Sequence, residues 1–420
     1  MIVQRIENHI IKESNPIYGW ILEECSRSRN LYNKTLFIYR QAFTGNHDKI
    51  KDFKSIIRHE KFISSFELVK QMAKLKDVNY YAMTKKNSAT QVVCQVDKTM
   101  KSWFASLKAY KKDSSKFRGR PRIPSYKKKY ELNCLIYTNM DAKLQKDGTI
   151  NLRRDIKLPI HTNLSSFQQV RLVPKTGYIQ VEIIYNKEIS DLKLDQTRAI
   201  GIDLGLNNLM AITSNIGNIS NLVNGRPLKS INQYYNKKKA HLMSLLEKGG
   251  LKSSKRLRRL EMKRTCKIKD YLHKTSKRIV ELMYNNNIGT CFIGHNKDWK
   301  QEINIGSRNN QNFVSIPYSL LINMLRYKIK EKGGVLVELN EAYTSKCSFL
   351  DNEEVCKHEI YKGKRIKRGL FLSSDKKALN ADINGSLNIL KRGIGFSFKV
   401  ENEIFRPTKI DIQKKLLNLA

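Results

Sequence analysis

Positive charge sets the terms on which this chain can fold. The sequence has 79 Lys and Arg against 38 Asp and Glu, a formal net charge of +41. Like charge at that excess opposes compaction, and a polyanion, usually nucleic acid, relieves it. Hydrophobic residues still make up 40% of the sequence, enough for cores and too many for a basic disordered tail. At 420 residues the chain has room for two or three domains, unlike the short ribosomal or histone-like binders that share such charge. No run approaches the roughly 18 apolar residues of a membrane span. The N-terminal MIVQRIENHIIKESN lacks the apolar core of a signal peptide. Seven cysteines without framework spacing suit a reducing compartment. The expected location is the cytoplasm, in association with the nucleoid.

Hydrophobic spacing divides the chain. Residues 1–12 alternate like one strand, and Pro16 to about Lys112 reads as helical, with Leu31, Tyr32, Leu36 and Phe37 and later Val92, Val93, Val96 and Met100 at three-to-four spacing. Asp113 opens a Gly/Pro-rich basic linker, followed by short alternating segments, of which YIQVEIIY (178–185) is the clearest; these suggest a small β-barrel. From Arg198 a strand, a tight turn and a second strand begin a new domain. A basic helical stretch follows at about 230–287, then strand 290–296, a helix at 317–332, strand VLVELNE (335–341) and a last helix ending at Gly393. Interleaved strands and helices predict an α/β domain with a mixed sheet.

Acidic residues stand out in so basic a chain. Asp203 follows the apolar Ala199–Ile202, Glu341 ends VLVELNE, and Asp382 opens the last helix behind Asn380, a good N-cap. A two-metal phosphodiesterase needs carboxylates from separate elements, because hard oxygen ligands hold Mg²⁺. Read singly, Asp203 is equally a turn residue and Asp382 equally a cap.

Two basic surfaces are evident. Residues 231–280 hold 16 Lys and Arg against 3 Asp and Glu, an excess that points to phosphate contact by Arg256, Arg258, Arg259, Lys263, Arg264, His273 and Lys274. In KFRGRPRIPSYKKK, Lys116, Arg118, Arg120, Arg122, Lys127 and Lys128 are spaced by Gly and Pro, which lets a strand approach closely. Trp299 beside Lys300 either stacks on a base or packs on a core.

These segments occur in an order that resembles the transposon-encoded TnpB (OrfB) family, whose C-terminal half is similar to the RuvC-type nuclease of type V CRISPR effectors. GIDLGLNNL matches the family's first nuclease motif and NADINGSLNIL its third, which implies catalytic aspartates at Asp203 and Asp382. DYLHKTSKRIV (270–280), EAYTSKCS (341–348), SRNLYNKTLFIYRQ (28–41), DKTMKSWFASLKAYKK (97–112) and KFRGRPRIPSYK (116–127) are also similar to family segments. The resemblance implies an α/β multidomain protein. It would have an RNase H-like (RuvC-type) domain at 198–420 with a cysteine-bearing insertion at 343–378, a split wedge β-barrel at 1–12 and 113–197, and a helical recognition insertion at 13–112. It implies a guide RNA, duplex target DNA with a short adjacent motif, and two Mg²⁺ held by Asp203, Glu341 and Asp382. Nothing in the sequence specifies an oligomer, and a monomer is the simpler expectation.

Two departures qualify this. The family's second motif ends a strand with glutamate, whereas CFIGHNKDWK places Gly294 in that slot. Glu341 is the relocated candidate and Glu338 its competitor, on opposite faces of an alternating strand. The family's paired CxxC zinc ribbon is reduced to Cys347, Cys356 and His358, with Asp351 or Glu359 as a fourth ligand, or else to an eroded ribbon without metal. The other five cysteines lie in apolar patterns and read as core thiols. A nuclease-dead RNA-guided repressor and a transposase accessory DNA-binding protein are the competing readings.

Overall fold

The computed structural model describes residues 2–57, 63–153, 155–189, 193–217, 219–296, 315–396, 398 and 400–412. The chain forms two compact units, Met1–Glu188 and Ile189–Ala420. Trp299 and Lys300 lie outside the described residues.

In the first unit, β1 (Ile2–Lys12) leads to α1 (Ile17–Thr44), α2 (Ser65–Lys74), α3 (Val78–Ala82) and α4 (Lys86–Lys112). Then come β2 (Leu135–Thr138), β3 (Lys143–Leu144), β4 (Ile150–Arg153), β5 (Ile156–Lys157), β6 (Gln169–Lys175) and β7 (Tyr178–Glu188). The helical spacing has its expected consequence: Leu31 and Leu36 of α1 and Val92, Val93 and Val96 of α4 are buried in one core with Val170, Val181 and Ile183 of the sheet. β1 pairs antiparallel with β7 from Ile2 opposite Glu188 to Lys12 opposite Tyr178, so the helices are inserted between two neighbouring strands. The strands form an antiparallel sheet in the order β1-β7-β6-β2, with β1 and β2 as edges, and a separate three-stranded sheet β3-β4-β5. The short strands β3 and β5, two residues each, make too few backbone bonds to extend the ladder between those edges.

The second unit contains β8 (Asp195–Leu204), β9 (Asn208–Ser214), β10 (Ser220–Asn224), α5 (Arg226–Lys248), α6 (Lys255–Asn285), β11 (Ile288–Gly294), α7 (Tyr318–Glu331) and β12 (Val335–Leu339). It continues with β13 (Lys364–Lys367), β14 (Leu370–Leu372), β15 (Ala378–Leu379), α8 (Ala381–Ile394) and β16 (Thr408–Ile410). A mixed sheet runs β12-β11-β8-β9-β10-β16. β8, β9 and β10 are antiparallel neighbours, while β11 is parallel to β8 and β12 to β11. Alternation on β8 sends Ile200, Ile202 and Leu204 into a core shared with α6 and α7. Gly201 and Asp203 face α8 instead.

Three boundaries differ from the sequence expectation. The basic stretch is two helices, because Gly249 and the left-handed Gly250 break it. α8 runs on to Ile394 and stops at the left-handed Gly395. VLVELNE is an edge strand that ends at Leu339, so Glu341 lies two residues past it, in a turn.

Candidate functional site

The packing of α8 on β8 depends on small residues. A Cβ on Gly201 would lie 2.5 Å from the Ser386 carbonyl oxygen. Ser386 Oγ donates to the Gly201 carbonyl at 2.8 Å and lies 2.9 Å from Thr213 Oγ1. A Cβ on Gly385 would come within 2.8 Å of Asp203 Oδ2. The Asn-Gly-Ser run therefore lets the helix lie almost against the strand backbone, and its first turn brings Asp382 beside Asp203. Asn380 Oδ1 caps that turn, accepting from the N–H groups of Asp382 and Ile383 at 3.0 and 3.3 Å. The cap role belongs to Asn380, which leaves the Asp382 carboxylate for other partners.

Those partners are Asn208 and Arg365. Asn208 Nδ2, at the start of β9, donates to Asp382 Oδ2 at 2.7 Å. Arg365 Nη2, on β13, lies 3.6 Å from Asp382 Oδ1. Sequence reasoning misses both residues; the doubled Asn of DLGLNNL (203–209) is the one signal that could have marked the first. Tyr318 at the start of α7 donates to the Gly205 carbonyl at 2.8 Å, which fixes the turn after Asp203.

Position 294 and position 341 meet. A Cβ on Gly294 would lie 2.5 Å from Ile389 Cδ1 and 3.2 Å from Glu341 Cβ. The space a side chain at 294 would enter is thus taken by Ile389 and by the root of Glu341. The turn holding Glu341 is fixed by Asn296 Oδ1, which accepts from the Glu341 N–H at 3.1 Å, and by Thr344 Oγ1, which donates to the Glu341 carbonyl at 2.8 Å. Glu338 is directed elsewhere: it pairs with Arg326 and lies 2.9 Å from His295 Nδ1.

Asp203 feels the other two acids electrostatically. The Asp203 pKa is raised well above the usual carboxylate value, first by withdrawal from water and then by the charges of Asp382 and Glu341, with Arg365 opposing. Burial pushes Glu341 up to about 7. Mutual repulsion keeps such anions from closing up unaided. Among the described residues no three His, Cys, Asp or Glu side chains converge tightly enough to be a formed metal cluster.

In the cysteine-bearing insertion, Cys356 Sγ lies 3.4 Å from His358 Nε2, and Cys347 Sγ donates to the Cys356 carbonyl at 3.5 Å. Asp351 is occupied by Ser374, which donates through its N–H and Oγ at 3.0 and 2.5 Å. All seven cysteines are free; Cys25 and Cys291 are buried, whereas Cys94, Cys134 and Cys266 are partly exposed.

The basic residues sort into several environments. Arg256, Arg259, Lys263 and Arg264 share one face of α6 and line a groove of about 710 Å³ against α5; Arg258 is not part of that lining. Arg264 also holds the two helices together. It donates to Asn232 Oδ1 at 2.7 Å and to the Ser315 carbonyl at 3.2 Å, and its guanidinium lies 4.9 Å from the Tyr235 ring centre. Lys274 pairs with Asp270 at 2.7 Å. Desolvation, Lys328 and Lys269 hold the His273 pKa below its ordinary value, with Asp270 opposing. In the first unit, Arg118, Arg120 and Arg122 are exposed along an extended loop. That loop is strapped down where Asn33 exchanges hydrogen bonds with the Lys127 backbone at 2.8 and 2.9 Å, and where Trp103 Nε1 donates to the Pro121 carbonyl at 3.2 Å. Lys127 Nζ lies 4.9 Å from the Tyr32 ring, while Lys116 pairs with Asp113 at 3.0 Å and Lys128 N–H donates to Glu131 at 3.0 Å.

Residues 182–300 match the family described as a probable transposase of the OrfB IS605 kind, and residues 318–389 match the Cas12f1-like TNB domain. The first stretch carries Asp203 and Gly294; the second carries Glu341, Cys347, Cys356 and Asp382. A TnpB-like protein, ORF457 of Acidianus two-tailed virus, is 26% identical over 231 residues, covering 53% of this chain and 47% of that protein. The chain thus spans about half the length of that relative. Among solved structures, a Cas12f1-sgRNA-target DNA complex is similar with a TM-score of 0.48 and 15% identity, over 87% of this chain and 82% of the other. A CRISPR-Cas12f ternary complex is similar with a TM-score of 0.35 and 14% identity, over 87% and 81%. No helix among the described residues is long and apolar enough to cross a membrane.

Proposed function

We propose, from the OrfB IS605 match over residues 182–300 and the Cas12f1-like TNB match over residues 318–389, that the chain is a TnpB-type RNA-guided endonuclease that hydrolyses DNA phosphodiesters with Mg²⁺. The observation that carries the reading is the fit between Gly294 and Glu341. The slot that holds a glutamate in the family is filled here by the end of the Ile389 side chain, and the Cβ of Glu341, two residues past the next strand, borders the same space. A site that had only decayed would have no reason to keep Asp203 within electrostatic reach of both Asp382 and Glu341.

The donor set suits a hard divalent cation: three carboxylates from separate parts of the chain, with Asp203 pushed toward its protonated form first by burial and then by the other two charges. Asp203, Glu341 and Asp382 would hold the metal. Bound Mg²⁺ would activate water and stabilise charge on the leaving oxygen. The chain's own residues set the geometry. Asn208 orients Asp382, Arg365 tempers the negative field, and Gly385 leaves room for the Asp203 carboxylate. The insertion fits zinc poorly. Cys356 and His358 touch, but Cys347 is turned to a backbone carbonyl and Asp351 is engaged by Ser374, which favours the eroded-ribbon reading over a zinc site completed by Asp351; Glu359 is the remaining fourth candidate.

The excess charge, the α5/α6 groove and the arginine loop of the first unit are the surfaces proposed to hold guide RNA and target DNA. The sequence-level expectation of a split wedge domain, a helical insertion and a nuclease domain from 198 is retained as the domain reading. Cleavage of a guide-matched duplex tests the proposal. Asp203→Ala and Glu341→Ala should each abolish cutting while RNA and DNA binding persist, and Glu338→Ala should cut nearly normally. Loss in Glu338→Ala with retention in Glu341→Ala would overturn the assignment.

A further inference from the structure

The cysteine-bearing insertion keeps only a remnant of a zinc-ligand set, yet its loops are tied together by a buried carboxylate. Glu353 is 3% exposed. Burying a carboxylate is costly unless donors satisfy its oxygens. Here the donors come from two separate loops: Oε2 accepts from the Ser348 N–H at 2.7 Å and Oε1 from the Lys362 N–H at 3.0 Å. The Glu353 N–H in turn donates to the Ser348 carbonyl at 3.1 Å. Lys391 of α8 donates to the Glu353 carbonyl at 3.1 Å, which brings a cation to the same place. Hydrogen bonds to a charged acceptor are about twice as strong as neutral ones.

These are the loops a zinc ribbon would have to join. Ser348 follows Cys347, and Lys362 follows the segment holding Cys356 and His358. In a ribbon one ion holds such loops through four ligands; here one carboxylate holds them through two backbone N–H groups. Both loops also lead to the candidate site. The first begins at Glu341, and Asn384 and Asn388 of α8 donate to its Cys347 carbonyl at 2.8 and 2.7 Å. The second runs into β13, which brings Arg365 to 3.6 Å from Asp382. With the first loop fixed on α8, Glu353 fixes the approach to β13 against it.

We infer that the Glu353 carboxylate is a metal-free staple that does the cross-linking zinc does in the family's ribbon, and that it thereby positions Arg365 at Asp382. The staple rests on the eroded-ribbon reading; the consequence for cleavage rests on the nuclease reading.

The test is hydrogen exchange, read by mass spectrometry on peptides spanning Ser348 and Lys362 in the full-length protein. Added chelator should leave the wild type unchanged. Glu353→Gln keeps the shape but replaces one acceptor oxygen with a donor, so exchange in both peptides should rise at least about tenfold. Cys356→Ser with His358→Ala should leave it unchanged. Opening of the wild type by chelator, equal opening in the cysteine–histidine variant, or unchanged exchange in Glu353→Gln would each overturn the staple. The chelator arm decides even where Glu353→Gln does not fold. For the positioning role, Glu353→Gln should lower kcat of guided cleavage about tenfold at constant KM, and Arg365→Ala should cost much less in that background than in the wild type. Additive losses would overturn it. Exchange is read without cleavage, so a wild type that cuts nothing would overturn the nuclease reading and leave the staple standing.

Discussion

Exchanging residues 294 and 341 isolates the third carboxylate. Gly294→Glu alone adds a Cβ 2.5 Å from Ile389 Cδ1 and 3.2 Å from Glu341 Cβ, an overpacking that should cost about 1–3 kcal/mol. Glu341→Ala alone deletes a group whose pKa burial raises from 4.5 to about 7. At about 1.4 kcal/mol per pKa unit the metal-free protein above neutral pH stands to gain up to about 3 kcal/mol. Partial exposure of the side chain reduces that to about 1–2 kcal/mol. The double variant places a glutamate in the family's slot and empties its neighbour. Its stability should therefore depart from the sum of the singles by about 0.5–3 kcal/mol in the favourable direction. Urea unfolding in a chelator measures this; cleavage in Mg²⁺ measures the chemistry. Glu341→Ala should lose at least about 100-fold, the upper end for disturbing even an outer partner of a metal ligand, and the double variant should recover part of it. Additive energies, together with a double variant no more active than Glu341→Ala, would refute the reasoning.

The metal-free protein should lose stability as pH rises. Asp203 and Glu341 have folded pKa values above the unfolded ones, so across about pH 4.5 to 7 the folded state holds protons the unfolded chain has released, and stability falls through that window. Thermal melts in chelator should show this slope, weaker in Glu341→Gln and offset by Mg²⁺; identical slopes in both proteins would contradict it. Gly385→Ala, with its Cβ 2.8 Å from Asp203 Oδ2, should weaken Mn²⁺ binding by about 10–100-fold in calorimetry while the protein stays folded. Unchanged affinity would show that close helix packing does not set the Asp203 position. Elemental analysis of protein purified without chelators should find zinc well below one per chain, and a full equivalent lost in Cys347→Ser would overturn the eroded-ribbon reading.

What the sequence made legible followed from local periodicity and chain order. The strand, turn and strand around Asp203, the Asn380 cap, and the α1 and α4 core faces all depend on residues a few positions apart. The misreadings concern what lies far away in sequence. Whether β1 and β2 close a barrel depends on long-range backbone pairing, which alternation does not reveal. VLVELNE has the composition of a central strand but is an edge strand, and its last two residues form a turn fixed by Asn296 and Thr344. Arg264 reads in sequence as a nucleic-acid contact, and no local pattern shows that it also bonds Asn232 of the neighbouring helix. Gly294 reads as a missing glutamate until Ile389, 95 positions on, is seen filling its space.

The most direct test of the account is retargeting. RNA copurifying with the protein would be sequenced, its pairing segment replaced, and the complex challenged with plasmids matching the old and new segments. The account predicts that Mg²⁺-dependent cleavage moves to the new sequence and vanishes in Asp203→Ala. Cleavage that ignores the RNA, or guided binding with no cleavage in any divalent metal, would contradict it.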